Sequence, residues 1–113
     1  MHEYSIVQAL LARVEQEARA RQATAVHRLA VRIGALAGVE PELLASAYSI
    51  FKAPTLCAQA ELEIHTVPAC WACPQCGRAI APGAVLRCPQ CGAAARLEAG
   101  DEIILDQIEM EVG

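Results

Sequence analysis

Residues 69–100 read ACWACPQCGRAIAPGAVLRCPQCGAAARLEAG, and within them the pentapeptide CPQCG occurs twice, at Cys73–Gly77 and at Cys88–Gly92. Each copy is a Cys-x-x-Cys knuckle. Two knuckles can set four thiolates around one ion, and a tetrahedral set of four sulfurs suits Zn2+. The proline stiffens each loop. The glycine after the second cysteine is free to take a positive φ, which lets backbone N–H groups turn toward the sulfurs. Eleven residues separate the knuckles, fewer than the ~15–20 common in this pattern but enough for a tight hairpin. Reduced cysteines that merely lie near one another are the alternative, and a duplicated pentapeptide argues against it. Cys70 extends the first knuckle to C-x-x-C-x-x-C, so Cys70 with Cys73 is a second possible pair. The repeat of CPQCG favours Cys73, Cys76, Cys88 and Cys91 as the metal set. Cys57 and Cys70 are then spare, as small apolar fillers or surface thiols. Four thiolates leave no open position for water, so the zinc is expected to be structural and not hydrolytic.

Outside this stretch the pattern becomes periodic. Ile6, Val7, Leu10, Leu11, Val14 and Ala18 form one stripe at helical spacing from Ser5 to about Ala20, with Met1–Glu3 as an exposed lead-in. In AVHRLAVRIG, His27, Leu29, Val31 and Ile33 alternate with Arg28, Ala30 and Arg32, which reads as a half-buried strand. GVEPELLASAYSIF reads as a second helix, with Pro41 in its first turn and Leu43, Leu44, Ala47, Tyr48 and Phe51 on its apolar face. AELEIHTVP and EIILDQIEMEV complete three strands. The Cys-, Pro- and Gly-rich stretch interrupts this order and is too short to bury a core, so it needs a staple. The expected fold is α+β: two helices packed on one face of a three-stranded sheet, with an inserted zinc-ribbon-like subdomain. Residues 1–69 and 98–113 would form the α+β domain, and residues 70–97 the zinc-binding subdomain with its four cysteines.

Composition narrows the function classes. The chain has 113 residues, is 55% hydrophobic with only four aromatics (Tyr4, Tyr48, Phe51, Trp71), and carries a net charge of −4. That balance argues against general affinity for nucleic acid or for anionic membranes. No apolar run reaches the ~18 residues of a membrane span. The N-terminus lacks the basic-then-apolar order of a secretory signal, so a cytoplasmic location is expected and the cysteines favour metal over disulfides. Arg78, Arg87 and Arg96 are a thin nucleic-acid footprint without lysines or stacking aromatics. An iron electron carrier would need aromatics around the knuckles, and only Trp71 is near.

The chain opens MHEYS. An initiator methionine is normally retained before a residue as large as histidine. The amine of Met1, the amide nitrogen of His2 and a His2 ring nitrogen can then chelate one ion through adjoining small rings. Glu3 can add a fourth donor, through its amide nitrogen or its carboxylate. Nitrogens in a plane suit Ni2+ or Cu2+; either displaces an amide proton, which Zn2+ does poorly. A histidine at position two is by itself ordinarily a solvated surface residue. His27 reads as a partly buried, hydrogen-bonded strand residue, and His65 as a solvated one beside Glu61 and Glu63.

The whole chain resembles the HypA/HybF family of nickel-insertion accessory proteins in [NiFe]-hydrogenase maturation. MHE at 1–3, Ser5, IGAL at 33–36, PELL with AY at 41–48, Thr55, AELEI at 60–64 with Pro68, the paired knuckles and GDEIILDQIEMEV at 100–112 carry the likeness. Cys57 and Cys70 depart from the pattern, and no histidine flanks either knuckle. The resemblance implies a metallochaperone and not an enzyme. It implies Ni2+ held at the chain start through His2 with Met1 and Glu3, and passed to the hydrogenase large subunit. It implies a nickel-handling GTPase or ATPase partner, a structural Zn2+, and a monomer or homodimer. The competing expectation is a zinc-ribbon adaptor that binds a protein or nucleic acid without moving nickel.

Overall fold

A computed structural model describes residues 2–81 and 85–113, with the side chain of His2 outside that description. Two helices and six strands follow in the order α1 (His2–Ala20), β1 (Ala23–Gly34), α2 (Pro41–Phe51), β2 (Glu61–Val67), β3 (Cys70–Ala72), β4 (Ala79–Ile80), β5 (Arg96–Ala99) and β6 (Ile103–Val112). They make two three-stranded sheets, ordered β2-β1-β6 and β4-β3-β5. The residues fall into two compact units: Met1–Arg32, Val39–His65 and Ile104–Gly113 in the first, Ile33–Gly38 and Thr66–Ile103 in the second.

In the first unit α1 buries Val7, Leu11, Val14 and Ala18, four residues at spacings that return to one side of a helix. Its other side carries the i,i+4 pairs Arg13–Glu17, Arg19–Glu15 and Arg21–Glu17. The helix stops where Gln22 takes a φ of 56°, and the N–H groups of Arg21 and Gln22 close the last carbonyls of Ala18 and Arg19. Pro41 begins α2, where a missing N–H costs no hydrogen bond, and Glu40 accepts the first helical bond from Leu44. Leu44, Ala47 and Tyr48 face inward. With Val26, Leu29 and Val31 of β1, and with Cys57 and Ala60, they fill the core of this unit. Full burial of one such Leu or Val is worth about 1.5–3 kcal/mol, so it is this layer of side chains that holds helices to sheet.

Four sequence expectations change. The N-terminal helix reaches back to His2, so Glu3 sits partly buried in its first turn and not in an exposed lead-in. Leu43 is 53% exposed, because it lies about 100° round α2 from the buried Leu44, outside the inward face. His27 is exposed: burial passes from Val26 to Leu29, the alternation slips by one, and His27 instead meets Glu111 at 3.1 Å. The Cys-rich stretch, read as aperiodic, forms a sheet of its own.

That second sheet is small and antiparallel. Trp71 pairs with Ile80 on one side and with Leu97 on the other. The same unit contains a close crossing of three backbones. A Cβ on Gly34 would collide with the carbonyl of Gly100. Gly100 itself has φ +108° and would place a Cβ 2.6 Å from Ala69 Cα. Glycine is required at both positions, and the crossing is sealed by Gly34 N–H to Glu102 and Leu36 N–H to Gly100.

Candidate metal centre

The two knuckles adopt one conformation twice. In the first, Cys73 N–H donates to Arg78 and Gly77 N–H donates back to Cys73, both at 2.9 Å; in the second, Cys88 N–H donates to Ala93 and Gly92 N–H to Cys88, again at 2.9 Å. Gly77 and Gly92 have φ of 74° and 69°, the left-handed geometry that closes each turn. Backbone N–H groups then point at sulfur: Gln75 and Cys76 toward Cys73 Sγ at 3.4 and 3.5 Å, and Cys91 toward Cys88 Sγ at 3.4 Å. The turn chemistry anticipated from Pro and Gly is what orients these donors.

The four sulfurs converge. Cys73, Cys76, Cys88 and Cys91 have ligand atoms all within 4.8 Å of one another, and Cys76 Sγ lies 3.7 Å from Cys88 Sγ. Zn–S bonds of ~2.3 Å in a tetrahedron put sulfurs ~3.8 Å apart, so the donor set has the right chemistry and spacing for such an ion. In each knuckle the first cysteine is buried and the second exposed. Ile80 joins Cys73 and Cys88 in a small core, with Trp71, Ala93 and Ala95 packed against it.

The thiols are polarised before any metal arrives. The N–H groups of Cys91 and Gln90 stabilise the Cys88 thiolate and draw its pKa down to about 6. Cys73 is lowered in the same way, chiefly by the N–H of Cys76. Cys91 goes the other way, up to about 12, because the neighbouring sulfur of Cys76 shares a proton with it. Four crowded sulfurs cannot all ionise alone. A cation that enters must release the remaining protons.

The other two cysteines separate cleanly. Cys57 is fully buried, its N–H bonded to Thr55 Oγ1 at 3.0 Å, and burial raises its thiol above the ordinary range. Cys70 is exposed in β3 and stands outside the four-sulfur cluster. One is a filler and the other a surface thiol. His65 is exposed and bonded to Glu63 at 2.6 Å, and that hydrogen bond lowers the Glu63 pKa. Of the nickel residues expected from the sequence, Met1 and the side chain of His2 lie outside the described residues. Glu3 is partly buried at the start of α1. Sequence reasoning missed the role of Thr55, whose Oγ1 donates to Lys52 and accepts from Cys57; its place just after Pro54 in a turn was the available signal.

Two helices on a three-stranded sheet, with a second small sheet built on a cluster of four cysteines, define a metal-binding α+β protein. The chain belongs to the HypA family: the model described as hydrogenase/urease nickel incorporation, metallochaperone, hypA matches residues 1–110. It is 41% identical over 114 residues to the hydrogenase maturation factor HypA of Wolinella succinogenes, covering 98% of this chain and 96% of its relative. It is 40% identical over 113 residues to that of Shewanella oneidensis, with the same coverage. The solution structure of the Ni metallochaperone HypA from Helicobacter pylori superposes with a TM-score of 0.75 at 30% identity, covering 98% of both chains. A second HypA solution structure gives 0.82 at 30% identity, covering all of this chain and 98% of the other. This is a family of nickel-incorporating metallochaperones and maturation factors, not of enzymes. No helix among the described residues is long and apolar enough to cross a membrane.

Proposed function

We propose that the chain delivers Ni2+ to the large subunit of a [NiFe]-hydrogenase and keeps a separate Zn2+ for structure. Nickel, the cargo, is bound at the chain start by the Met1 amine, the His2 amide and ring nitrogens, and a donor from Glu3. The observation that carries the terminal site is the reach of α1 back to His2. The first N–H groups of a helix have no intrahelical acceptor, so the His2 and Glu3 amides are unspent and a metal can replace their protons without breaking the helix. Such a site is open on one side, and an incoming ligand can attack before the old ones leave. Cys73, Cys76, Cys88 and Cys91 would hold the zinc in a closed shell with no position for water or cargo.

A nickel-handling GTPase or ATPase works beside the chain in the cytoplasm in this reading. The imidazole and amine must shed protons to bind, so nickel affinity weakens as pH falls. Titration of tag-free protein with Ni2+ tests the assignment. His2→Ala, or one extra residue placed before Met1, should cost at least ~100-fold in nickel affinity and leave the zinc content unchanged. Unaltered affinity in both variants would return the protein to the adaptor reading.

A further inference from the structure

Helix α2 is apolar on two sides, and only one of them is used by the core. Leu44, Ala47 and Tyr48 face inward. Leu43 and Ile50, seven residues apart and so on one outer face, are 53% and 61% exposed. Beside them stands Tyr4 of α1, 40% exposed and fixed edge-on to Phe51 at a centroid distance of 5.3 Å. Glu3, Tyr4, Leu43, Ser46, Ala47 and Ile50 line a dimple of about 160 Å³. A cavity of ~150 Å³ takes up benzene, so this one has room for a single aliphatic or aromatic side chain. A cluster of large apolar groups around such a recess is the form of a docking site, whereas scattered exposed ones are ordinary surface.

Glu3 is the charged residue among those lining the dimple, and Glu42 precedes Leu43 in α2. Glu3 and Glu42 occupy the first turns of α1 and α2, where the helix dipole favours them. None of the ion pairs among the described residues involves Glu3, Glu40 or Glu42. A second copy of the chain would bring the same acids and a net charge of −4, and an anionic bilayer would be repelled likewise. A partner with an apolar anchor flanked by Lys or Arg fits. Position then selects which partner, because Glu3 lies next to His2 and Met1: whatever seats an anchor in the dimple sits at the chain's own leading end.

We infer that the Tyr4–Leu43–Ile50 patch is the docking surface for the protein that exchanges nickel with this chain, through one apolar side chain in the dimple and basic residues against Glu3 and Glu42. The inference rests on the terminal nickel site proposed above. Docking aligns the two proteins, and the cargo crosses over the edge of the patch.

The test uses the full chain in its native host, deleted for the endogenous copy. Leu43→Asp with Ile50→Asp changes only solvent-facing positions, so thermal melting and helical dichroism should match the wild type. Titration with Ni2+ alone should also match it. Restored hydrogenase activity should nevertheless fall at least ~tenfold, the loss expected of interface anchors, and Glu42→Lys should give a smaller fall. Full activity from the double variant overturns the docking surface, as does loss of its nickel binding or a dimer that it alone breaks. Full activity from Glu42→Lys overturns the basic partner. A host whose hydrogenase activity does not need the wild-type chain overturns the delivery function itself, a separate outcome.

Discussion

The helical unit and the cysteine unit solve the same problem with different means. In the first, Val7, Leu11, Val14, Val26, Leu29, Val31 and Leu44 are all buried, and their apolar area holds two helices on a sheet. Among the described residues of 66–103 the buried hydrophobic side chains are Cys73, Ile80 and Cys88. Two of those three belong to the metal cluster. So small a core cannot offset the chain entropy of some forty residues. In the proposed function an ion held by the four thiolates would supply what that core lacks, and one chain would then combine a hydrophobic and a coordinative solution.

The largest effect should come from removing that ion. Chelation, or Cys73→Ser with Cys88→Ser, is expected to unfold residues 66–103 as a block, since structural zinc contributes ~10–16 kcal/mol of apparent binding energy in small domains. Trp71 emission should move to the red while the helical dichroism of α1 and α2 persists. Acid should do the same. In the metal-free cluster the N–H groups of Cys91 and Gln90 depress the Cys88 thiol from 9.0 to about 6, so the stability its thiolate adds is complete above 9.0 and lost as pH falls through about 6. With an ion in place, protons compete with it for the same sulfurs and release it at low pH. A Trp71 signal that survives chelation would erase the contrast between the units.

A core truncation should invert the pattern. Leu29 is fully buried in β1, and Leu29→Ala should destabilise the helical unit by about 2–5 kcal/mol. Measured by urea melts, α1 and α2 should unfold early while the Trp71 environment and bound metal are retained. Coincident loss of both signals would mean that the two units share one cooperative transition.

This division decides what could be read from the sequence. Where a periodic apolar face meets a core, as in Val7–Leu11–Val14–Ala18, spacing alone identifies the element. The duplicated CPQCG carried enough local chemistry to locate the four sulfurs and the positive φ of Gly77 and Gly92. The short strands β3, β4 and β5 were invisible, because two to four residues give no period and because their pairing is imposed by the knuckles on either side. Leu43 misled for a different reason. A helix with two apolar stripes offers no internal sign of which one the core uses. His27 misled because the Leu29–Val31–Ile33 alternation slips by one ahead of Leu29, which reverses the faces of the residues before it. The start of α1 was hidden because Met1–Glu3 carry no apolar period and no capping pattern.

The smallest expected effect sharpens the contrast at the alkaline end. Tyr48 is buried, donates to the Ala60 carbonyl at 2.9 Å, and has its pKa raised above the ordinary 10.0 by burial. Its neutral form is the one the fold favours, so the associated stability is complete below pH 10.0 and is lost as pH rises beyond it. Tyr48→Phe deletes the hydroxyl, yet Ala60 keeps a second donor in Lys52 Nζ at 3.3 Å. The acceptor is not orphaned, and the cost at neutral pH should stay near the net worth of one hydrogen bond, ~0.5–1.5 kcal/mol. A phenyl ring cannot ionise, so the variant should close much of that gap in urea melts at high pH; what alkaline loss remains belongs to Cys57, whose thiol burial also raises. A variant that loses stability to alkali as steeply as the wild type would show that Tyr48 does not govern this limit. The helical unit would then fail in base for a reason outside its own core, and the pairing of an acid-sensitive metal unit with a base-sensitive hydrophobic one would not stand.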